Sequence, residues 1–193
     1  MKKALLIGDS IRLGYSPFVR EALRATVEVF FPEENCRNTQ YTFVSLSNWL
    51  NLAGDPKTVD VVHWNNGHWD IAHWRGDPAP LNTPEQYAGM LARIHHQLRE
   101  CFPNAAIVFA LTTPMNPDGI TGLNPRSNRE IEAYNTVARD TMDTLGVPVN
   151  DLYTLMADKP SGWYIDYAHF TEQGYQVLAQ AVARAVWNNL PVA

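Results

Sequence analysis

Ala4-Leu5-Leu6-Ile7-Gly8-Asp9-Ser10 decides the fold: four apolar residues run without alternation into a short polar turn. An unbroken apolar run closed by Gly-Asp-Ser is a strand buried on both faces, as in a parallel sheet. Just outward, Ser16-Pro17 places a cap before a proline at a first helical position. It predicts a helix reaching about Thr26. Further apolar or β-branched runs predict strands at Val27–Phe31, Val59–Trp64, Ala105–Leu111 and Val147–Val149. Helical patterns lie between them. Thr83-Pro84-Glu85-Gln86 and the pair Ser127/Glu130 are capping boxes. Each is followed by an apolar stripe at helical spacing, Tyr87, Met90, Leu91, Ile94 and Leu98 in one case, Ile131, Tyr134, Ala138, Met142 and Leu145 in the other. Residues 32–58 read as loop with a short helix near Leu46–Leu52, and Thr171 caps a last helix. The alternation predicts an α/β fold, a parallel sheet covered by helices on both faces.

At 193 residues, 46% hydrophobic and 18% charged, the chain suits one domain over 1–193 with a sizeable core. A net charge of -5 gives no reason to expect a nucleic acid or an anionic membrane as partner. No stretch is long enough to span a membrane, and the apolar run after Met1-Lys2-Lys3 is too short for a secretory signal. Cys36 and Cys101 stand in no metal-ligand spacing and read as thiols of a reduced compartment, which predicts a cytoplasmic protein. His63, His68 and His73 miss the spacing of a helical metal site, so neither metal nor cofactor is expected.

In parallel sheets the loops at the carboxyl ends of the strands build the site. Gly8-Asp9-Ser10, Asn65-Asn66-Gly67 and the polar segment 112–128 all fall at that edge, the last as an expected pocket wall. Asp166-Tyr167-Ala168-His169, just before the last helix, can reach it. Serine is a poor nucleophile until a base takes its proton. His169 is the candidate base for Ser10. Asp166, one turn earlier, can hold the other imidazole nitrogen, which is the acid's part in a serine triad.

These blocks resemble the SGNH (GDSL-type) hydrolase family. The first is Gly8-Asp9-Ser10 and the last is Asp166-Tyr167-Ala168-His169 with Phe170, Thr171 and Gly174. The family's third block, Gly-x-Asn-Asp after a strand, matches Gly67-His68-Trp69-Asp70, with Trp69 where the family has its oxyanion-hole Asn. The second block, a glycine in an Asn-rich turn, is approximated by Asn35-Cys36-Arg37-Asn38-Thr39, which has no glycine. The resemblance implies a three-layer α/β/α sandwich with a five-stranded parallel sheet, flavodoxin-like in type, and a serine esterase working through an acyl-enzyme. Ser10, His169 and Asp166 become the catalytic candidates. Asp9, Arg37, Asn38, Asn66, Gly67 and Trp69 become the oxyanion and substrate-binding candidates. Asn66 ranks ahead of Trp69 as third oxyanion donor because its amide is the closer chemical substitute.

Arg12 and Arg37 are candidates for an anionic substrate group or for pairing with Asp9, Glu33 and Glu34. Trp64, Trp69, Trp74 and Trp163 offer faces for sugar stacking or for packing. The expected partner is a small ester, with an acetylated sugar favoured, and the oligomeric state is open. Two other classes stand beside this one. One is a glycoside-acting or carbohydrate-binding member of the same fold, with Asp166 or Asp70 as acid or base. The other is a flavodoxin-like domain receiving phosphate at the helix start after Gly8.

Overall fold

The computed structural model describes residues 1–119, 122 and 124–191. The elements in chain order are β1 (Lys2–Ile7), α1 (Ser10–Leu23), β2 (Val27–Phe30), α2 (Thr39–Trp49), β3 (Val61–Trp64), α3 (His68–Ile71), α4 (Pro84–Cys101), β4 (Ala106–Ala110), α5 (Asn128–Thr144), β5 (Val149–Asn150), α6 (Leu152–Ala157) and α7 (Glu172–Asn188). The strands form one five-stranded sheet in the order β2-β1-β3-β4-β5, and every pairing is parallel.

Strand side chains alternate between two cores. Leu5, Ile7, Val62, Trp64, Ile107 and Phe109 face α2, α4 and α5 through Leu46, Leu91, Ile94 and Ile131. Ala4, Leu6, Val61, Val108 and Ala110 face α1 and α7 through Ile11, Tyr15, Val19, Leu178, Val182 and Val186. A sheet covered on both faces explains why its strands read as apolar runs. Gly14 lets α1 approach α7 closely, since a Cβ there would lie 2.1 Å from the Tyr175 ring. The chain leaves β1 toward β2 on one side and returns to β3 on the other. The carboxyl ends of β1 and β3 therefore flank the crevice where such sheets place their ligands.

Both expected capping boxes are present, at Thr83/Gln86 and Ser127/Glu130. The start of α1 is not where the Ser16-Pro17 signal put it. Asp9 is the cap, accepting from Ile11 N at 2.9 Å, and Pro17 lies inside the helix. Buried Ser16 turns its hydroxyl back to donate to Arg12 O at 2.7 Å. The helix expected near Leu46 starts earlier, at Thr39, because Asn38 caps it by accepting from Tyr41 N. No helix of the described residues is long and apolar enough to cross a membrane.

Candidate active site

β1 ends at Ile7, and α1 begins at Ser10 with one extended residue, Asp9, between Gly8 and the helix. Gly8 is required by crowding: a Cβ there would sit 2.7 Å from Asn65 Oδ1 and 2.8 Å from Arg12 Cβ. As first residue of the helix, Ser10 has a backbone N–H with no intrahelical acceptor. Its Oγ lies 2.7 Å from His169 Nε2. His169 Nδ1 lies 2.7 Å from Asp166 Oδ2, and Asp166 Oδ1 accepts from Ala168 N and His169 N at 2.8 and 2.7 Å. Partial burial favours the neutral acid, but these hydrogen bonds outweigh it and hold Asp166 below its ordinary pKa. The carboxylate stays charged and fixes the imidazole with a proton on Nδ1, leaving Nε2 to accept from Ser10.

The loop after β4 props up this acid–base pair. Asn116 N donates to Tyr167 O, Asn116 Nδ2 donates to Asp166 O at 3.2 Å, and Ser161 and Asp118 are hydrogen-bonded to each other. Part of the expected pocket wall, Ile120, Thr121 and Leu123, lies outside the described residues.

The second-block turn is pinned from three sides. Cys36 N donates to Gly8 O at 3.1 Å, Asn66 Nδ2 donates to Arg37 O at 2.9 Å, and Thr39 donates to Asp70 through both N and Oγ1. Arg37 has φ 51, a left-handed conformation rare for a non-glycine residue. Its side chain is exposed and stacks on Tyr41, and its N–H is taken by Asn35 Oδ1 at 2.8 Å. Asn38 uses its side chain as a cap, and its N–H makes no hydrogen bond among the described residues.

Two expectations need correction here. Asn66 is completely buried and both its amide hydrogens are committed, to Arg37 O and Thr42 Oγ1, while Oδ1 accepts from Trp64 Nε1. It has no donor left for an oxyanion. Its neighbour Asn65 stands beside the nucleophile strand instead, accepting from Asp9 N at 3.4 Å, with an Nδ2 that makes no hydrogen bond among the described residues. Arg12 takes neither of its expected parts, substrate group or ion pair with Asp9, Glu33 or Glu34. It is fully buried and donates to Gly8 O, Pro32 O and Glu34 O.

Gly67 is buried with φ 155, and a Cβ there would meet Thr112 Oγ1 at 1.9 Å. Its part is close packing between the ends of β3 and β4. Trp64 is a core residue against Phe109, Trp163 sits beside Lys159, and Trp69 and Trp74 form a tilted pair with ring centres 6.0 Å apart. Trp74 is exposed and Trp69 half-buried, so this pair is the aromatic surface on offer at the β3 side. The three histidines part company. His63 is buried in β3 beside Asn150, His68 bonds Thr113 Oγ1 at 3.1 Å, and His73 pairs with Glu130 at 2.6 Å. No cluster of three His, Cys, Asp or Glu suited to a metal occurs among the described residues.

Asp9 is fully buried. Burial raises its pKa, opposed by the Ile11 N–H and by the charges of Arg126, Arg12 and His169. Its carboxylate takes the Ile11 N–H, one of the first-turn donors that a phosphate at this helix start would need. Asp70 is also fully buried. One of its oxygens accepts from Thr39 and from Asn82 Nδ2. Burial, against those hydrogen bonds, raises its pKa to about 6. The native state therefore holds this proton more tightly than the unfolded chain does. The stabilisation is complete below the ordinary value of 3.8 and is lost as pH climbs through about 6. The stability advantage of wild type over Asp70→Asn is expected to shrink by on the order of 3 kcal/mol between about pH 4 and pH 7. Urea unfolding of both proteins at the two pH values measures it, and a pH-independent difference would refute it.

A family model described as GDSL-like Lipase/Acylhydrolase matches residues 6–177. The chain belongs to this family. GDSL-like acylhydrolases are hydrolases directed at esters, and solved structures of this type share the fold. A lipase/acylhydrolase from Enterococcus faecalis superposes with TM-score 0.76 at 20% identity, covering 99% of this chain and 98% of its own. An acetyl xylan esterase, AlAXEase, gives 0.74 at 16%, covering 95% and 99%. A GDSL-like lipase from Bacteroides thetaiotaomicron gives 0.74 at 13%, covering 98% and 89%. No curated protein matches the chain.

Proposed function

We propose that this GDSL-like protein is a serine esterase that removes a small acyl group, acetyl in the first instance, from a polar or carbohydrate alcohol, the chain 1–193 acting as one domain. The unbroken hydrogen-bonded chain Ser10–His169–Asp166 carries the proposal. His169 Nε2 takes the Ser10 proton as Oγ bonds to the acyl carbon, and Asp166 steadies the imidazolium. The oxyanion is received by Ser10 N–H, Asn38 N–H and Asn65 Nδ2, three donors without other partners among the described residues, with Asn65 in the place first given to Asn66 or Trp69. When the tetrahedral centre collapses, the carbon–alkoxide bond breaks and His169 protonates the departing alcohol. Water, deprotonated by His169, then attacks the acyl-enzyme and releases the acid and Ser10.

The preference for acetylated sugar is supported by the Trp69/Trp74 pair, which follows β3 and leaves Trp74 exposed, and by the presence of an acetyl xylan esterase among the similar structures. A cytoplasmic location fits the free thiols Cys36 and Cys101. The glycoside alternative has little to draw on: Asp166 is bound to His169 and Asp70 to Thr39 and Asn82.

Intact-mass measurement after treatment with a small neutral phosphonate tests the nucleophile. A single adduct is expected on the wild type and none on Ser10→Ala or His169→Ala. An adduct that persists on Ser10→Ala, or none on the folded wild type, overturns the assignment.

A further inference from the structure

A buried amide in the segment between α3 and α4, outside all the sequence blocks, reaches the start of α2. Asn82 is 2% exposed. Its N–H donates to Asp70 O at 3.0 Å, and its carbonyl oxygen accepts from the Tyr134 hydroxyl. Its Oδ1 accepts from Gln40 Nε2 at 2.5 Å. Its Nδ2 donates to Asp70 Oδ1 at 2.6 Å and lies 3.0 Å from Gln40 Oε1 and 3.2 Å from Thr39 Oγ1. An amide engaged at every polar atom cannot shift without leaving buried partners unpaired.

These partners stand directly behind Asn38, whose N–H is one of the proposed oxyanion donors. Thr39 is the first residue of α2, so its own N–H has no intrahelical acceptor. That N–H goes to Asp70 Oδ1 at 3.1 Å, and Thr39 Oγ1 donates to the same oxygen at 2.6 Å. The other oxygen, Asp70 Oδ2, is buried without a partner among the described residues. By itself the carboxyl group could present either oxygen to Thr39. Asn82 decides between them, because it brings a third donor to Oδ1 alone. Its approach to Thr39 Oγ1 also leaves the threonine hydrogen free to point at Asp70. Ahead of Asn38 the turn is tied by Cys36 N to Gly8 O, at the end of the nucleophile strand, and by Asn66 Nδ2 to Arg37 O. Behind Asn38 the tie is Thr39–Asp70–Asn82.

We infer that Asn82 is a positioning residue for the reaction: through Asp70 and Thr39 it sets the place of the Asn38 N–H against the oxyanion formed when Ser10 attacks. The inference rests on the Ser10 esterase proposal. It makes the loss of Asn82 a misplacement of one donor, with the nucleophile and its base intact.

The test measures kcat/KM for p-nitrophenyl acetate and Ki for a small alkyl trifluoromethyl ketone, using wild type, Asn82→Ala and Gln40→Ala. On the ketone, Ser10 Oγ bonds to the carbonyl carbon, its proton passes to His169 and the carbonyl electron pair becomes an oxyanion that calls on the same donors as the ester's. Asn82→Ala is expected to lower kcat/KM about ten- to a hundredfold and to raise Ki by the same factor. Gln40 is exposed, and Gln40→Ala removes its amide pairing with Asn82, so both values are expected to move about three- to tenfold in the same directions. A loss of folded protein lowers apparent kcat/KM but leaves the Ki of the remaining molecules unchanged. A Ki within about twofold of wild type in Asn82→Ala therefore overturns the role, whatever happens to the rate. If Asn82→Ala does not fold, Gln40→Ala decides by the same criterion. Phosphonate labelling of wild-type Ser10 separates the two levels. An adduct together with an unmoved Ki overturns the role of Asn82 alone, and no adduct overturns it together with the esterase proposal.

Discussion

Ser10→Ala and His169→Ala are each expected to lower kcat for acetyl esters by at least about 10⁴-fold. Without Ser10 there is no oxygen to carry the acyl group. Without His169 the Ser10 proton has no acceptor, since the imidazole is the partner of Oγ at 2.7 Å. The two act as one unit, so the double variant is expected to be no slower than either single variant. Residual turnover would come from donors that remain, the N–H groups of Ser10 and Asn38 and the Asn65 amide. Neither change should disturb the fold much. Ser10 is half-buried at a helix start whose cap is Asp9, and His169 is half-buried in a loop held by Asn116. Melting midpoints within about 2 °C of wild type are expected, alongside ester assays sensitive to small residual rates. Retention of a few per cent of activity by either variant would show that the bond-making group lies elsewhere.

Arg12→Ala should be the most damaging single change to stability. The guanidinium is fully buried and has no carboxylate within 4.0 Å among the described residues; its charge is met by the carbonyl oxygens of Gly8, Pro32 and Glu34, at 2.5 to 3.3 Å. Those carbonyls belong to the nucleophile turn and to the strand-to-helix turn that carries Asn38. Removing the side chain leaves several buried acceptors without donors and opens a cavity beside Cys36. A cost of about 3–5 kcal/mol is expected, a fall in Tm on the order of 10 °C. Activity should fall further than stability explains, because the turn that offers the Asn38 N–H loses its anchor to β1. Arg12→Lys is expected to recover less than half, since one ammonium cannot span all three carbonyls. Urea unfolding checks the first expectation. A loss below about 1 kcal/mol would mean that the turn is held by the Cys36–Gly8 and Asn66–Arg37 bonds without Arg12.

Much of this was legible in the sequence where local chemistry and global need agree. The strands stood out because burial on both faces leaves no alternation, and α4 and α5 because capping boxes precede their stripes. Ser10, Asp166 and His169 were candidates because their two blocks stand together at one sheet edge, each being ambiguous alone, and the fold puts the three side chains within hydrogen-bond distance. The failures share a cause: a polar residue's partner is set by tertiary neighbours. Ser16 before Pro17 is a good local cap, yet Asp9 wins because the helix must start at the end of β1. Asn65 and Asn66 are indistinguishable in a polar turn, but only Asn66 faces Trp64, Thr42 and Arg37 and is used up by them. Arg12 was open to a ligand anion or a neighbouring carboxylate and is instead a clamp on backbone carbonyls.

The Ser10–His169 bond joins positions 159 residues apart, and Gly14 and Tyr175 interlock just beside it. Closing so long a loop is entropically unfavourable until most other contacts exist to hold its ends. The nucleophile and its base therefore meet only when α7 docks on α1. Turnover therefore requires α1 and α7 to be joined, and its return during refolding reports that joining more directly than the recovery of helix content does.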